Sequence, residues 1–364
     1  EMCIRDRRNP RFKSMAPAST SAAIAGVDVD ALNAWMDREQ LPPGAIENIS
    51  PIGGGTQNIM IGFSRGGTDY VLRRGPEHLR PGSNTVIERE MRLLDALGAT
   101  TVPHARLIVG SADTAILGAA FYLMEPVDGF NAAQRLSAPY AAAPAGRREM
   151  GLALVDALTS LAAVDHTGIG LADFGKPDGF LARQVPRWIG EFERYASTPG
   201  YPGPEFGDVA PVADWLERNR PGDGAPGILH GDYHIANVMY APDRPAVAAI
   251  VDWEMATIGD PLLDLGVLAA IWPEHPGDAD LYESALGATG DLPERSAIIE
   301  RYASRSDRDL SALDWYAVLA CFKLGIILEG TYARSCAGDA PREVGERLRR
   351  YANGLFDRAH RYLT

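Results

Sequence analysis

Cysteine is scarce in this chain: Cys3, Cys321 and Cys336 are the only three in 364 residues, and none share a close metal-type spacing. A disulfide framework or a structural zinc site is therefore not expected. Positive charge is also short. Thirty-five Lys and Arg against 48 Asp and Glu leave a formal charge of −13, the wrong sign for a nucleic-acid partner. A local arginine cluster could still oppose that sign and hold an anionic ligand. No apolar run approaches the roughly 20 residues of a bilayer span, and no signal-peptide core is visible. The expectation is a cytoplasmic protein with no membrane partner.

A 46% hydrophobic share with 23% charged residues is ordinary for a globular protein, and the length allows one large core or two lobes. Residues 1–14 are basic, polar and without periodicity, and Met15 reads as a more natural start. Residues 1–27 are expected to be disordered.

From Asp28 to Glu39 the spacing of Leu32, Trp35 and Met36 predicts a helix with an aspartate cap. Strand patterns follow at Ile46–Ile52, Asn58–Phe63 and Tyr70–Arg73, with Gly53-Gly54-Gly55 and Gly66-Gly67 between them. A glycine-rich bend lets backbone amides approach phosphates, although a loop of this kind taken alone is commonly a plain hairpin. Thr85–Leu97 is helical by spacing, with Ile87, Met91, Leu94 and Leu97 on one side. Arg106–Gly110 and Ala119–Met124 read as further strands, and Glu125-Pro126-Val127-Asp128-Gly129 marks a lobe boundary. Residues 28–126 should thus form a mostly antiparallel sheet with one inserted helix, and residues 127–364 a mainly helical lobe. Helices are expected at Leu181–Tyr195, Leu262–Ala270, Leu313–Leu328 and Arg342–Tyr362, and short strands at Ala236–Tyr240 and Val247–Val251.

The chemistry concentrates between Leu229 and Gly266, in LHGDYHIANVMY and AAIVDWEMATIGDPLLDLG. His230, Asp232, Asn237 and Asp252 stand in the order and spacing of a kinase catalytic loop followed by a metal-binding aspartate. Asp232 fits the carboxylate that accepts the proton of an attacking hydroxyl or orients its oxygen. Asn237 and Asp252 are oxygen ligands suited to Mg2+ on nucleotide phosphates. Singly, each would be read as a turn cap or a satisfied loop residue; the three in this order carry the functional reading. His230 is expected to hold the loop, His234 to do the same or touch substrate, and Asp264 to bond amides of the catalytic segment. Glu254 is either a second metal ligand or a solvated carboxylate.

The same chemistry needs a cation leaving a strand to meet the α- and β-phosphates, oriented by a helix carboxylate. YVLRR offers Arg73 and Arg74, whose side chains must point to opposite faces, and the helix offers Glu90. Arg73 occupies the apolar-apolar-cation position. A surface pair between Arg73 and Glu88 or Glu90 is the alternative.

With these residues assembled, the chain resembles the aminoglycoside-phosphotransferase-like kinases. Within them it is most similar to the branch typified by the kinase domain of acyl-CoA dehydrogenase family members 10 and 11. The resemblance runs from about Ile46 to the C-terminus through DYVLRRGP, EREMRLLDAL, FYLMEPVDG, ARQVPRWIGEFERY, HGDYHIANVM, IVDWEMATIGDPLLDLG and FKLGIILEGTYAR. It implies an α+β, protein-kinase-like bilobal fold, with ATP between the lobes and adenine on the backbone near Glu125 to Val127. It further implies phosphorylation of a hydroxyl on a 4-hydroxyacyl-CoA or related hydroxy acid, and a functional link to an acyl-CoA dehydrogenase. Arg183, Arg187, Trp188, Tyr332 and Arg334 are candidate contacts for such a substrate, although helix-surface ion pairs would explain the arginines equally well.

Two other functions remain open at this level. An aminoglycoside or macrolide kinase would line its acceptor pocket with carboxylates if the acceptor were a polycation. A non-catalytic nucleotide-binding scaffold on the same fold would be favoured by loss of a catalytic group, yet Asp232, Asn237 and Asp252 are all present.

Overall fold

In the computed structural model, which describes residues 26–53, 58–273 and 284–363, Asp28 opens the first helix. Its carboxylate accepts the Ala31 N–H at 2.9 Å, and α1 (Val29–Arg38) buries Leu32, Trp35 and Met36. That face packs on a five-stranded antiparallel sheet of order β1-β2-β3-β5-β4. The strands are β1 (Ile46–Pro51), β2 (Ile59–Arg65), β3 (Thr68–Arg74), β4 (Leu107–Ser111) and β5 (Phe121–Met124). Gly66 and Gly67 form the two-residue turn between β2 and β3, with φ of +57° and +79°. A tight hairpin turn demands such angles at both positions, and glycine adopts them without steric penalty. Trp35 meets Phe121 edge-on at 4.6 Å in the core beneath.

Helix α2 (Ser83–Leu97) is the inserted helix, and α3 (Thr114–Leu117) is a single turn that the sequence reading did not contain. Helix α2 buries Ile87, Leu94 and Leu97 as the spacing predicts; Met91 is only half-buried, while Glu90 is fully buried among them.

The chain divides into two units whose boundaries differ from the expected lobes. The sheet unit takes the described residues up to Ala143, together with Ile169–Leu171 and Ala236–Glu254. The hairpin of β7 (Val238–Tyr240) and β8 (Val247–Ile250) thus belongs with the sheet. Backbone bonds explain this: the Ile250 N–H donates to the Pro103 carbonyl at 2.8 Å, and Phe130 and Tyr240 exchange bonds at 2.9 and 2.8 Å. Val127–Ala143, including α4 (Ala138–Ala141), follows because the Phe130 ring lies against Tyr240 of the hairpin, and Tyr140 stacks on Phe130 and donates to the Ala241 carbonyl at 3.3 Å.

The second unit is helical. It contains α5 (Pro144–Ala162), α6 (Gln184–Tyr195), α7 (Ala210–Arg218), α8 (Leu262–Ile271), α9 (Arg295–Ala303), α10 (Leu313–Ala337) and α11 (Arg342–Leu363), with a small sheet of β6 (Gly227–Leu229) and β9 (Thr257–Gly259). A 3₁₀ turn at Leu181–Arg183 precedes α6, so the expected Leu181–Tyr195 helix begins as two pieces before Pro186. Helix α8 is buried on all sides, and Gly266 lets α10 approach it. A Cβ there would lie 2.7 Å from the Tyr316 backbone.

Helix α10 runs nine residues beyond the expected end at Leu328. Past that point, Glu329 accepts the Tyr201 O–H at 2.8 Å and Gly330 leaves room for the Tyr195 ring. At 25 residues α10 is long and apolar enough to cross a membrane by length and composition, contrary to the expectation of no such run. Its most apolar window is 78% buried within the protein, the condition of a core helix.

Candidate active site

The sheet unit assembles one half of the predicted constellation. Arg73 leaves β3 opposite Tyr122 of β5 and forms an ion pair with Glu90 of α2 at 2.8 Å. The Tyr122 hydroxyl donates to the same carboxylate at 2.9 Å. Both members of the pair are buried, Arg73 at 8% exposure and Glu90 at 2%, so this is not a surface salt bridge. Burial works against the Arg73 charge, but Glu90, Tyr122 and Asp252 outweigh it and hold the guanidinium above its already high range. Burial likewise pushes the Glu90 carboxyl up, against the downward pull of Arg73 and Tyr122. Arg74 points elsewhere, bonding the carbonyls of Leu117 and Gly75 at 2.7 and 3.1 Å. The two arginines take opposite faces, as strand alternation requires, and it is Arg73, in the apolar-apolar-cation position, that meets Glu90.

A second contact of Arg73 reaches Asp252 Oδ1 at 3.3 Å. Asp252 follows β8 with φ of +67°, the left-handed region. Such a conformation at a non-glycine residue costs up to roughly 1–3 kcal/mol, least for Asp and Asn, whose short side chains bond locally. Asn237 ends a 3₁₀ turn (Ile235–Asn237) rather than lying in the predicted strand, and its carbonyl accepts the Val251 N–H at 2.9 Å. The two predicted metal ligands therefore flank the same end of the β7–β8 hairpin. Asn131, buried and not foreseen from the sequence, secures the approach by donating to the Ala236 carbonyl at 2.8 Å.

Arg73, Tyr122, Val127, Asn237 and Asp252 line one cleft of this unit. Its enclosed part is about 40 Å³, room for about one water rather than a purine. A base entering there would have to displace Met60 and Met124, which also line it and whose unbranched thioether chains re-pack readily. Glu125 is exposed, and its N–H already donates to the Arg106 carbonyl at 2.9 Å. Gly53 has φ of +78°, consistent with a bend that requires glycine; Gly54 and Gly55 lie outside the described residues.

One carboxylate and one amide oxygen tied to a single hairpin suit a hard cation that keeps water and phosphate among its ligands, as Mg2+ does. Among the described residues no group of three or more His, Cys, Asp or Glu side chains is placed to hold a metal. The donor set fits a nucleotide-borne magnesium and not a protein-only cage.

The helical unit holds the other half, built around the loop after β6. The His230 and Gly231 N–H groups donate to the two Asp264 oxygens at 2.7 and 2.9 Å. This is the support role that the spacing assigned to Asp264. Gly231 has φ of +85°, and a Cβ there would lie 2.6 Å from the Met255 carbonyl, so glycine is required. The Asp232 N–H donates to His230 Nδ1 at 3.3 Å, which leaves the proton of the neutral ring on Nε2. Tyr233 anchors the loop to α5 through the Leu154 carbonyl at 2.7 Å.

Asp232 itself keeps 35% of its side chain exposed, with His234 Nε2 3.4 Å from its carboxylate. Burial tends to raise this carboxyl, but His234, then Lys323 and His230, hold it well below the usual carboxylate range. Lys323 of α10 was not anticipated. Its ammonium donates to the Gly231 carbonyl and lies 5.9 Å from the Trp188 ring centre. The only signal was a lone cation inside the apolar stretch VLACFKLGII.

The remaining substrate candidates are not brought together. Arg187 lies over Trp188 at 4.9 Å, near Lys323. Arg183 is turned onto the carbonyls of Lys176 and Asp178, and Arg334 bonds Thr331 at 2.8 Å. Arg334 stands eleven residues beyond Lys323 on α10, roughly 16 Å along the axis. Tyr332 is buried and accepts from Arg349 at 2.9 Å.

Among known proteins, the chain is 30% identical over 340 residues to the Arabidopsis thaliana protein named probable acyl-CoA dehydrogenase IBR3, covering 87% of this chain and 40% of that one. It is 28% identical over 328 residues to acyl-CoA dehydrogenase family member 11 of Gallus gallus, covering 88% and 40%. The chain thus spans about 40% of the length of these curated relatives. Among solved structures, a candidate aminoglycoside phosphotransferase from Ralstonia eutropha JMP134 matches with TM-score 0.74 at 28% identity, covering 92% of this chain and 99% of its own. A variant of aminoglycoside phosphotransferase APH(4)-Ia, solved with ADP and hygromycin B, shares the fold at TM-score 0.59 and 13% identity, covering 94% and 99%. The family model described as the phosphotransferase enzyme family matches residues 48–298, and the chain, with its kinase-like fold, belongs to that family.

Proposed function

We propose that the chain is an ATP-dependent kinase of a small hydroxyl-bearing molecule, with a 4-hydroxyacyl-CoA or related hydroxy acid as acceptor. The observation that carries the kinase reading is the set of contacts around Arg73, which joins this strand cation to a buried helix carboxylate, Glu90, and to a half-buried hairpin aspartate, Asp252. In this reading Arg73 grips phosphate oxygens in a fork while Glu90 fixes its orientation. Asp232 accepts the proton of the acceptor hydroxyl, or orients its oxygen, as that oxygen bonds to the γ-phosphorus and ADP leaves. Asn237 and Asp252 would hold Mg2+, which when bound neutralises charge on the phosphates. An ATP requirement agrees with the ADP bound in the APH(4)-Ia structure.

Support for the acyl-CoA-related acceptor comes from the names of the curated relatives and from the cations Lys323 and Arg187 in the unit that bears Asp232. The same names suggest a functional partnership with an acyl-CoA dehydrogenase. A second reading, an aminoglycoside acceptor, is favoured by the Ralstonia eutropha structure. A coupled ADP-release screen over hydroxyacyl-CoAs, free hydroxy acids and aminoglycosides separates them. Stimulation by a hydroxyacyl-CoA is expected; stimulation by an aminoglycoside alone would replace the first reading with the second.

The metal role has its own test. Asn tolerates the left-handed backbone of Asp252 as Asp does, so Asp252→Asn should fold like the parent. Its affinity for AMP-PNP should respond markedly less to Mg2+ than that of the parent, because an amide oxygen replaces the charged one, a difference readable by calorimetry with and without the ion. Unchanged magnesium dependence would remove Asp252 from the ligand set.

A further inference from the structure

The catalytic loop is held from one side by a carboxylate and from the other by an ammonium. Asp264 takes the amides of His230 and Gly231, and Lys323 takes the carbonyl of Gly231. The peptide units on both sides of Gly231 are therefore fixed by full charges, and Asp232 is the next residue. Charge-assisted bonds of this kind are roughly twice as strong as neutral ones.

The choice of lysine is itself informative. Only three of the 35 Lys and Arg residues in the chain are lysine, namely Lys13, Lys176 and Lys323. Of the latter two, Lys176 lies in a loop before α6, whereas Lys323 is 4% exposed. A guanidinium is planar and needs partners in a fork, whereas an ammonium is a compact point charge. The site presents one carbonyl, the flank of the Trp188 indole and two carboxylates, a set that a point charge serves.

We propose that Lys323 is a positioning residue of the phosphoryl-transfer site, supplying from α10 the positive charge that aims the Gly231–Asp232 peptide and faces the Asp232 carboxylate. This deepens the reading of Asp232 as the base and rests on it. The charged and titratable groups facing Asp232 are His234 and His230 on its own loop and Lys323 on α10; those facing Lys323 are Asp232, Asp264 of α8 and Arg187 of α6. Burial lowers the Lys323 ammonium from its ordinary range, and the two carboxylates pull it back up. The lysine charge in turn adds to the hydrogen bond from His234 in keeping Asp232 ionised.

A purely structural lysine would be replaceable by any side chain that bonds the Gly231 carbonyl. Lys323→Gln retains a donor and loses the charge; Lys323→Met loses both; Lys323→Arg keeps the charge. The full-length variants are assayed at neutral pH for ADP release with Mg-ATP and the acceptor found in the screen. Lys323→Gln should lose roughly tenfold or more in kcat with less change in KM. Lys323→Arg should keep more of the parental kcat than Lys323→Gln does. A second readout needs no activity: the His234 ring resonance, assigned by its loss in His234→Gln, reports the ionisation of Asp232 beside it. A low-pH inflection at higher pH in Lys323→Gln than in the parent supports the proposal, whether or not Lys323→Met folds. Coincident inflections, or a Lys323→Gln enzyme with parental kcat, would overturn it. If the parent turns over no acceptor, the kinase reading fails, while the resonance still decides whether Lys323 controls Asp232.

Discussion

Asp232→Ala should lower turnover by about 10²- to 10⁴-fold, the range typical of a positioned general base. Affinity for AMP-PNP with Mg2+ should stay near that of the parent, because the proposed phosphate and metal contacts, Arg73, Asn237 and Asp252, are left in place. The fold should also survive. The loop is held by Asp264, Lys323, His230 and Tyr233, all of which remain. Asp232→Asn is the sharper companion, since it keeps shape and loses only the ability to accept a proton. Rates come from ADP release with the acceptor at saturation, and affinity from calorimetry. Parental turnover in either variant would show that proton acceptance lies elsewhere, with His234 the next group to examine.

The second large effect is on stability. Arg73→Met should destabilise the protein by about 3–5 kcal/mol, because it strips the partner from a buried carboxylate. Glu90 would keep only the Tyr122 hydroxyl. Its carboxyl is already pushed up by burial, and loss of the guanidinium removes the main pull downward. In the variant the folded-state pKa of Glu90 therefore lies further above the unfolded value, about 4.3. A carboxyl raised in this way is protonated in both states at low pH, and the difference from the parent is smallest there. Stability is then lost as pH rises from that value through the raised one. Urea denaturation between pH 4.5 and 8 should show the gap between variant and parent widening with pH. A pH-independent gap would mean that lost packing, not the orphaned charge, is the cause. Arg73→Met/Glu90→Met should recover much of the stability and none of the nucleotide affinity.

The order of elements was legible because each carried a local signal. Asp28 and the Leu32–Trp35–Met36 face announced α1, and Gly66-Gly67 announced the first hairpin. The pairing of Arg73, rather than Arg74, with Glu90 was also readable from its apolar-apolar-cation position, and the loop-holding bonds of Asp264 from its place after the HGD segment. Tyr122 could have been found by strand alternation, since it pairs with Arg73 across β3 and β5. Helices α7 and α9 were missed because their patterns are short and lie between Pro- and Gly-rich stretches. The end of α10 was misjudged because Glu329 looks like a surface residue until Tyr201 is placed against it.

What the amino-acid order determined by itself was the set of candidate groups: an aspartate, an asparagine and a second aspartate at fixed intervals, and a strand arginine with a helix glutamate to meet it. These follow from spacing along the chain, where geometry is local. What only the tertiary structure decided was which side chains surround those groups. The β7–β8 hairpin joins the sheet unit through the Pro103 carbonyl, and Lys323 reaches the Gly231 carbonyl from 92 residues away. Contacts between distant segments depend on how whole helices and sheets pack, and no local spacing encodes them.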